Sequence, residues 1–418
     1  MAKFVYVIGT ADTKLEELLW LKSCLHSAGV DSHIIDVSTG SSNTRNENNQ
    51  VDIKATQVAA YHPDGVDAVF CNERGKSVTA MSVALTHFLQ DTADDISGLI
   101  GIGGSGGTAL ITLAMQAMPI GVPKLMVSTM ASGNVGGYVG GEDIAMLYTV
   151  TDLSGLNYLT RTILANAAHM IAGAVDHFIH YDRIQKPALG LTMFGVTTPC
   201  ISQLVTALNT QFDPLVFHAT GNGGTSMERL VESRAIIGVL DITLTEIADL
   251  LFGGVLACPD TRLDSIAQTQ VPWVGSAGAL DMINFSDRDS IPERYAHRQF
   301  VEHNAQVTLM RTTPEENYQL GVWIGNKLNL CNGPVRFIIP EGGFSALDAP
   351  GQAFEDPKAR QAFANGLEST VIQTTQRQII KTPHHINAPE FSSLVMEQFQ
   401  NVMQHQGTIH HSTPGNTL

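Results

Sequence analysis

The residues best suited to chemistry lie between Leu99 and Met115, in LIGIGGSGGTALITLAM. An apolar run leads into Gly103, Gly104, Ser105, Gly106 and Gly107, and Thr108 opens a helical stretch. Glycines let backbone N–H groups approach an oxyanion closely, and a helix start adds unpaired donors at the positive end of its dipole. The pattern reads as a cradle for a phosphate or carboxylate. A plain strand-to-helix turn is the competing reading, although one glycine suffices for a turn. Three more glycine-rich turns follow apolar runs: Ser132-Gly133 onward to Tyr138, Gly221-Asn222-Gly223-Gly224-Thr225, and Glu341-Gly342-Gly343. In a parallel sheet such strand ends emerge on one edge, so together they say more than any one alone. A Walker-type loop is excluded, since Gly75-Lys76-Ser77 matches only its tail. G-x-G-x-x-G can be traced over Gly101, Gly103 and Gly106, but on a late strand and not in the first βαβ unit, which counts against a dinucleotide fingerprint.

Candidate acids sit at predicted strand ends. Asp241 ends AIIGVLD, Asp281 follows GSAGAL, Asp12 follows VIGTA and Glu341 follows RFIIP. Such carboxylates could hold Mg²⁺ near phosphate oxygens or act as a base; as caps and turn residues they would do neither. His385, in HHIN before Pro389, is a base, a ligand contact or a member of a buried turn network. Arg262 and Arg311 could clamp a phosphate bidentately or simply form ion pairs. His303-Asn304 is a further pair to locate, and His410-His411 falls in a polar tail read as disordered. Asp241, Asp281, Glu341 and His385 are the expected catalytic set. The expected cofactor contacts are the first glycine-rich loop through Thr108, Ser132 with Gly133, and Gly221 through Thr225.

These residues need a scaffold, and the chain alternates strand and helix. Phe4–Thr10 predicts a buried strand and Asp12–Gly29 an amphipathic helix, capped by Asp12 or Thr13 and ended by Gly29. HIIDVST is a second strand, and the polar segment Ser41–Gln50 a mobile loop. VDAVFC reads as a strand or a helix end, KSVTAMSVALTHFLQDT as a helix, LIGIGG and KLMVSTM as strands. A long helix over Asn157–Tyr181 closes this half, broken after Arg183 at Lys186-Pro187. Ala188–Leu208 restarts the pattern with Pro199 in the first helical turn, where its missing N–H costs nothing. Pro214–Val231 is a second strand, turn and helix, and AIIGVLDIT, VPWVGSAG, QVTLMRTT and VRFIIPEGG are further strands. Continuously apolar strands separated by helices imply parallel sheets covered on both faces. The expected fold is α/β, with two Rossmann-like three-layer domains over residues 1–185 and 186–418 and a ligand cleft between them. VIGTADTKLEELL and MFGVTTPCISQLV share strand, glycine, short turn and helix, through duplication or through the same local physics.

At 418 residues and 44% hydrophobic content, the chain has enough apolar material for two large cores. A net charge of −16 disfavours nucleic acid and anionic membrane as partners, since both demand clustered cations. Five scattered cysteines show no metal or redox spacing, the first residues already form a strand, and no apolar run is long enough to span a bilayer. The expectation is a soluble cytoplasmic protein.

Several long segments together resemble one family: GIGGSGGTALITLAMQAMPIGVPKLMVSTMASGNVGGYVG, LDITLTEIADLLFGGVLA, GALDMINF, HNAQVTLMRTTPEEN, PEGGFSALDAPGQAF and HHINAPEF. It is the ATP-binding domain family of the tomato mosaic virus resistance protein. The resemblance covers nearly the whole chain and implies two Rossmann-like subdomains, ATP or related nucleotide binding assisted by Mg²⁺, and self-association. In the plant protein this domain inhibits a viral replication protein and is followed by a barrel domain; neither the barrel nor the viral role is expected here. Two function classes stay open: an enzyme acting on a small phosphorylated or carboxylated metabolite, and a non-catalytic, nucleotide-dependent regulatory or interaction module. Homo-oligomerisation is also expected from the sequence, because PIGVPKLMVSTMASG offers an apolar strand and Leu159–Phe178 is apolar on most of its circumference.

Overall fold

The computed structural model describes residues 3–40, 49–71, 73–177, 186–304 and 306–410, with side chains as far as 404. Most of the Ser41–Gln50 segment, the 178–185 junction and His411 lie outside the described residues. The chain divides into two units, Met1–Tyr181 and Asp182–Leu418.

In the first unit, five apolar segments become strands β1 (Phe4–Gly9), β2 (Ser32–Asp36), β3 (Ile96–Gly103), β4 (Lys124–Ser128) and β5 (Ile144–Tyr148). They form one parallel sheet in the order β2-β1-β3-β4-β5. The two-residue period of a strand sends alternate side chains to opposite faces. Val5, Val7, Ile100, Ile102, Leu125 and Val127 meet helices Ala11–Ser27 and Tyr158–Asp176 through Leu18, Leu21, Leu164 and Ile171. Tyr6, Ile8, Leu99 and Met126 face the other way, onto helices Arg74–Asp91 and Ser105–Met115 through Leu85, Phe88, Ile111 and Met115. Both faces are covered, which is why these strands read as uninterrupted apolar runs.

The first helix is capped differently from the sequence expectation. Neither Asp12 nor Thr13 caps it; Ala11 N–H donates to Asp36 Oδ1 (2.9 Å) and Asp12 N–H to Ser38 Oγ (3.1 Å), both from the end of β2. Its far end matches, with Gly29 at φ +82° just after the helix. VDAVFC is helical at Val66–Val69, not a strand. The helix over Tyr158–Asp176 starts at a capping box built on Asn157. It buries one stripe only, and Arg161, Thr162, Asn166 and His169 face outward. β4 is buried along its whole length between β3 and β5. The helix is thus amphipathic and β4 an interior strand, while Ile120 before the strand and Met170 on the helix stay exposed.

The second unit repeats the plan. Its main strands are β6 (Ala188–Met193), β7 (Asp213–His218), β8 (Ile236–Thr243), β9 (Trp273–Gly278), and, after a smaller sheet, β13 (Val335–Pro340) and β14 (Arg377–Thr382). They pair in parallel in the order β7-β6-β8-β9-β13-β14, which is again second, first, third, then outward. Helices Thr198–Leu208 and Pro389–His410 cover one face through Ile201, Leu204, Phe391 and Phe399. Helices Asn222–Glu232, Pro314–Asn329 and Pro357–Thr370 cover the other through Met227, Ile324 and Phe363. The segment QVTLMRTT departs from expectation. It supplies β12 (Val307–Arg311), the middle of an antiparallel sheet with β10 (Met282–Phe285) and β11 (Phe300–Asn304), and takes no part in the parallel one. Among the described residues, no helix is long and apolar enough to cross a membrane.

Candidate functional site

The strand order decides where a site can form in the first unit. β1 and β3 lie side by side, yet the helices that follow them cover opposite faces of the sheet, so a crevice opens between their carboxyl ends. Third place in sequence counted against the Gly101–Gly106 fingerprint, but the topology puts β3 at the switch point. A cavity of about 710 Å³ occupies that position. Thr10, Asp12, Thr13 and Lys14 line it after β1, Thr39 and Gly40 after β2, and Gly103 through Gly107 after β3. Phe70, Val78 and Leu110 supply an apolar wall, with Arg74 and Ser77 from the helix Arg74–Asp91.

Three helix starts meet this cavity: Arg74–Asp91, whose start carries no side-chain cap, and two that follow strands and differ from one another in one respect. The helix Ala11–Ser27 has its leading amides satisfied by Asp36 and Ser38. Asp36 is further held by Ser38 N–H (2.9 Å) and Ser38 Oγ (2.5 Å). The helix Ser105–Met115 has no side-chain cap and no acid in its first turn. Its first internal bond runs from Thr108 N–H to Gly104 O at 2.8 Å, so the amides of Ser105, Gly106 and Gly107 precede the ladder. A Cβ placed on Gly106 would meet nothing within 4 Å, and one on Gly104 only Thr129 Oγ1 at 3.8 Å. The loop's backbone is thus bare on the cavity side. Thr108 faces inward instead, its hydroxyl 2.7 Å from Gly104 O and 2.6 Å from Ser128 Oγ. Arg74 is exposed and makes no ion pair with a described residue, whereas Lys14 Nζ donates to Leu153 O at 2.6 Å.

The remaining expected residues lie elsewhere. Ser132 and Gly133 belong to a turn after β4 and do not line the cavity. The second glycine-rich turn starts helix Asn222–Glu232, but a protein carboxyl already sits on it. Gly221 N–H donates to Glu246 Oε2 at 2.8 Å, and a Cβ on Gly224 would strike Glu246 Oε1. Glu246 is held by Arg262 Nε at 2.5 Å, and the same buried guanidinium binds Glu228 (2.6 Å) and Asp241 (2.8 Å). Burial pushes the Glu246 carboxyl up, against the pull of Arg262. Asp241 also accepts from Thr192 Oγ1 and Trp273 Nε1 and is fully enclosed. These groups saturate one another, so neither Asp241 nor Arg262 is placed to meet a substrate.

Glu341 is exposed beside Lys381 at 3.6 Å, a surface pair. His385 has both ring nitrogens engaged: Nδ1 accepts from Asn387 N–H at 3.1 Å and Nε2 lies 2.8 Å from Ser345 O. That is a turn network, half-buried, in which both nitrogens already have partners within the protein. Asp281 is enclosed, takes a bond from Ser345 Oγ at 2.7 Å, and is pushed up to about 7 by burial and then by Asp348. Arg311 binds Asp348 and the carbonyls of Asp281 and Phe354. His303 and Asn304 are exposed on β11. The four expected catalytic residues all belong to the second unit, and none lines the cavity of the first. Thr10, Thr39, Phe70 and Arg74 line it without having been singled out, and Thr13 was named only as a cap. Their only signal was position, after a strand for Thr10 and Thr39, at a helix end for Phe70 and at a helix start for Arg74.

The fold defines a protein of two doubly wound, mainly parallel α/β units, the first with an open glycine-rich helix start at its switch point. The chain belongs to the uncharacterised protein family UPF0261, whose N-terminal domain matches residues 3–180 and whose C-terminal domain matches residues 186–403. A UPF0261 protein of Rhizobium meliloti (strain 1021) is 50% identical over 401 residues, covering 96% of this chain and 99% of that protein. A UPF0261 protein of Clostridium tetani is 40% identical over 410 residues, covering 97% and 100%. The tomato ToMV resistance protein Tm-1(GCR237) is 39% identical over 418 residues, covering 95% of this chain but 55% of its own length.

Proposed function

We propose that the first unit binds ATP or a related nucleotide, its phosphates resting on the amides of Ser105, Gly106 and Gly107 with Mg²⁺ as companion. One observation carries this reading. Of two glycine- or threonine-flanked helix starts at one cavity, the protein caps the first with Asp36 and Ser38 and leaves the second bare. Uncapped amides at the positive end of a helix favour an oxyanion, and Arg74 at the rim adds a cation suited to phosphate. The cavity volume falls within the usual ~300–1,000 Å³ of small-molecule sites, and its apolar wall of Phe70, Val78 and Leu110 suits a flat heterocycle.

A nucleotide-dependent binding or regulatory module is the better supported of the two classes. Among the described lining residues Asp12 is the sole carboxylate, and no histidine or cysteine joins it. An enzyme of small phosphorylated or carboxylated metabolites would have Asp12 alone as a carboxylate base at this cavity, because none of the four expected catalytic residues lines it. Calorimetric titration of ATP, ADP and inorganic phosphate into the protein with MgCl₂ tests the reading, alongside a phosphate-release assay. The expected result is saturable ATP binding, weakened about tenfold in Arg74→Ala by loss of one charge-assisted contact, with no turnover. No heat with ATP would overturn nucleotide binding; steady phosphate release would overturn the non-catalytic class.

A further inference from the structure

We infer that Asp12 is the protein's own ligand to a small, hard divalent cation that ties the chain to the bound phosphates. The inference rests on the nucleotide reading above and adds to it a residue and an order of events.

Asp12 shares the cavity with the bare glycine loop. In the pairing of β1 with β3, Ile8 stands beside Gly101, so two residues further on Thr10 emerges next to Gly103. Asp12 follows two residues on. A carboxylate facing phosphate oxygens repels them unless a cation lies between. A first-turn carboxylate also favours the positive end of its own helix, a duty that leaves its oxygens free to meet a cation. The backbone N–H of Asp12 goes to Ser38 Oγ, and the helix start is capped by Asp36, but the Asp12 carboxylate makes no hydrogen bond or ion pair with a described residue. Neighbouring Lys14 donates to Leu153 O at 2.6 Å and makes no ion pair with Asp12. The hydroxyls of Thr10 and Thr13, 2.8 Å apart, place further hard oxygens at the same turn.

One carboxylate, hydroxyls and phosphate oxygens form the donor set of Mg²⁺ or Mn²⁺, which bind through one or two carboxylates and substrate phosphates and keep several waters. Among the described residues, no cluster of three or more His, Cys, Asp or Glu could hold a metal unaided. The cation therefore arrives with the nucleotide and does not precede it.

The test is calorimetric titration of ATP into wild type and Asp12→Asn, each in MgCl₂ and in EDTA, with melting curves confirming that the exposed substitution leaves the fold unchanged. Wild type is expected to bind ATP about tenfold or more tightly with Mg²⁺. Asp12→Asn should lose that gain, yet in EDTA bind ATP at least as tightly as wild type, since the repelling carboxylate is gone. The order of affinities thus inverts between the two buffers, which a merely structural role would not produce. MgCl₂ titrated without nucleotide should give no binding. A Mg²⁺ gain that survives in Asp12→Asn overturns the role of Asp12 and leaves nucleotide binding standing; absence of ATP binding by wild type in both buffers overturns both.

Discussion

Replacing Gly106 by valine should abolish nucleotide binding without harming the fold. Gly106 lies in the first turn of helix Ser105–Met115, its φ is not in the left-handed region, and a Cβ there meets nothing within 4 Å. The valine side chain would stand in open space over the amides of Ser105, Gly106 and Gly107. A hydrogen bond from an amide to a charged oxygen contributes about 1.5–3 kcal/mol, so blocking two costs about 3–6 kcal/mol. That corresponds to a loss of roughly 10²- to 10⁴-fold in Kd. In stability the change is neutral or slightly favourable, since valine exceeds glycine in helix propensity by a few tenths of a kcal/mol. Gly103→Ala is the contrasting control. Its Cβ would lie 3.0 Å from the backbone of Gly107 and Thr108, so that variant should lose stability as well as binding. Calorimetry with ATP and MgCl₂, paired with thermal melts, separates the two. A Gly106→Val protein that melts normally and binds ATP with wild-type affinity would refute the cradle.

Three further outcomes follow from the second unit. Burial pushes Asp249 up to about 7, above the ordinary 3.8, and Asp281 moves the same way. A carboxyl raised in the folded state contributes stability that is full below its unfolded pKa and disappears as pH rises through the folded one. Between pH 6 and 8 Asp249 alone should therefore cost about 1.4 kcal/mol, measurable as a lower urea midpoint at the higher pH; a midpoint that rises instead contradicts the assignment. Arg262→Met leaves Glu228, Asp241 and Glu246 buried without their shared cation and should destabilise by about 3–5 kcal/mol at neutral pH, with ATP binding by the first unit retained. Gly223→Ala drives a Cβ into His218 O, so its melting temperature should fall while nucleotide affinity does not.

Strand runs and their helical covers were legible because burial on both faces writes itself as unbroken apolar sequence. The likeness between VIGTADTKLEELL and MFGVTTPCISQLV was also informative, since β1 and β6 each lead a sheet of the same strand order. The glycine-rich turns were less so. At Gly103–Gly107 and Gly221–Gly224 the sequence shows the same need for close approach to the backbone, but not what approaches. In the second case it is Glu246, held by Arg262, and neither partner is adjacent in sequence. Asp241 and His385 misled for a similar reason: the bonds that engage them come from Thr192, Trp273 and Ser345, across elements whose pairing only the fold reveals. Arg74 was passed over because an exposed arginine at a helix start has no distinguishing spacing.

The carboxyl of Glu246 seated on the Gly221 turn gives the two units different relations to their surroundings. A helix start filled by a side chain of the same chain has an occupancy independent of any solute, so the second unit carries its counter-group at all times. On the proposed reading the first unit takes its own from solution, so its unfolding equilibrium should be linked to ligand concentration, by about 2.7 kcal/mol when the ligand is at a hundred times its Kd. In a protein emptied of nucleotide by dialysis, protease cleavage and amide exchange should rise in residues 3–177 and stay unchanged in the sheet led by β6. On that reading the repeated plan pairs a self-sufficient half with one whose cohesion would report on the supply of small anions around it.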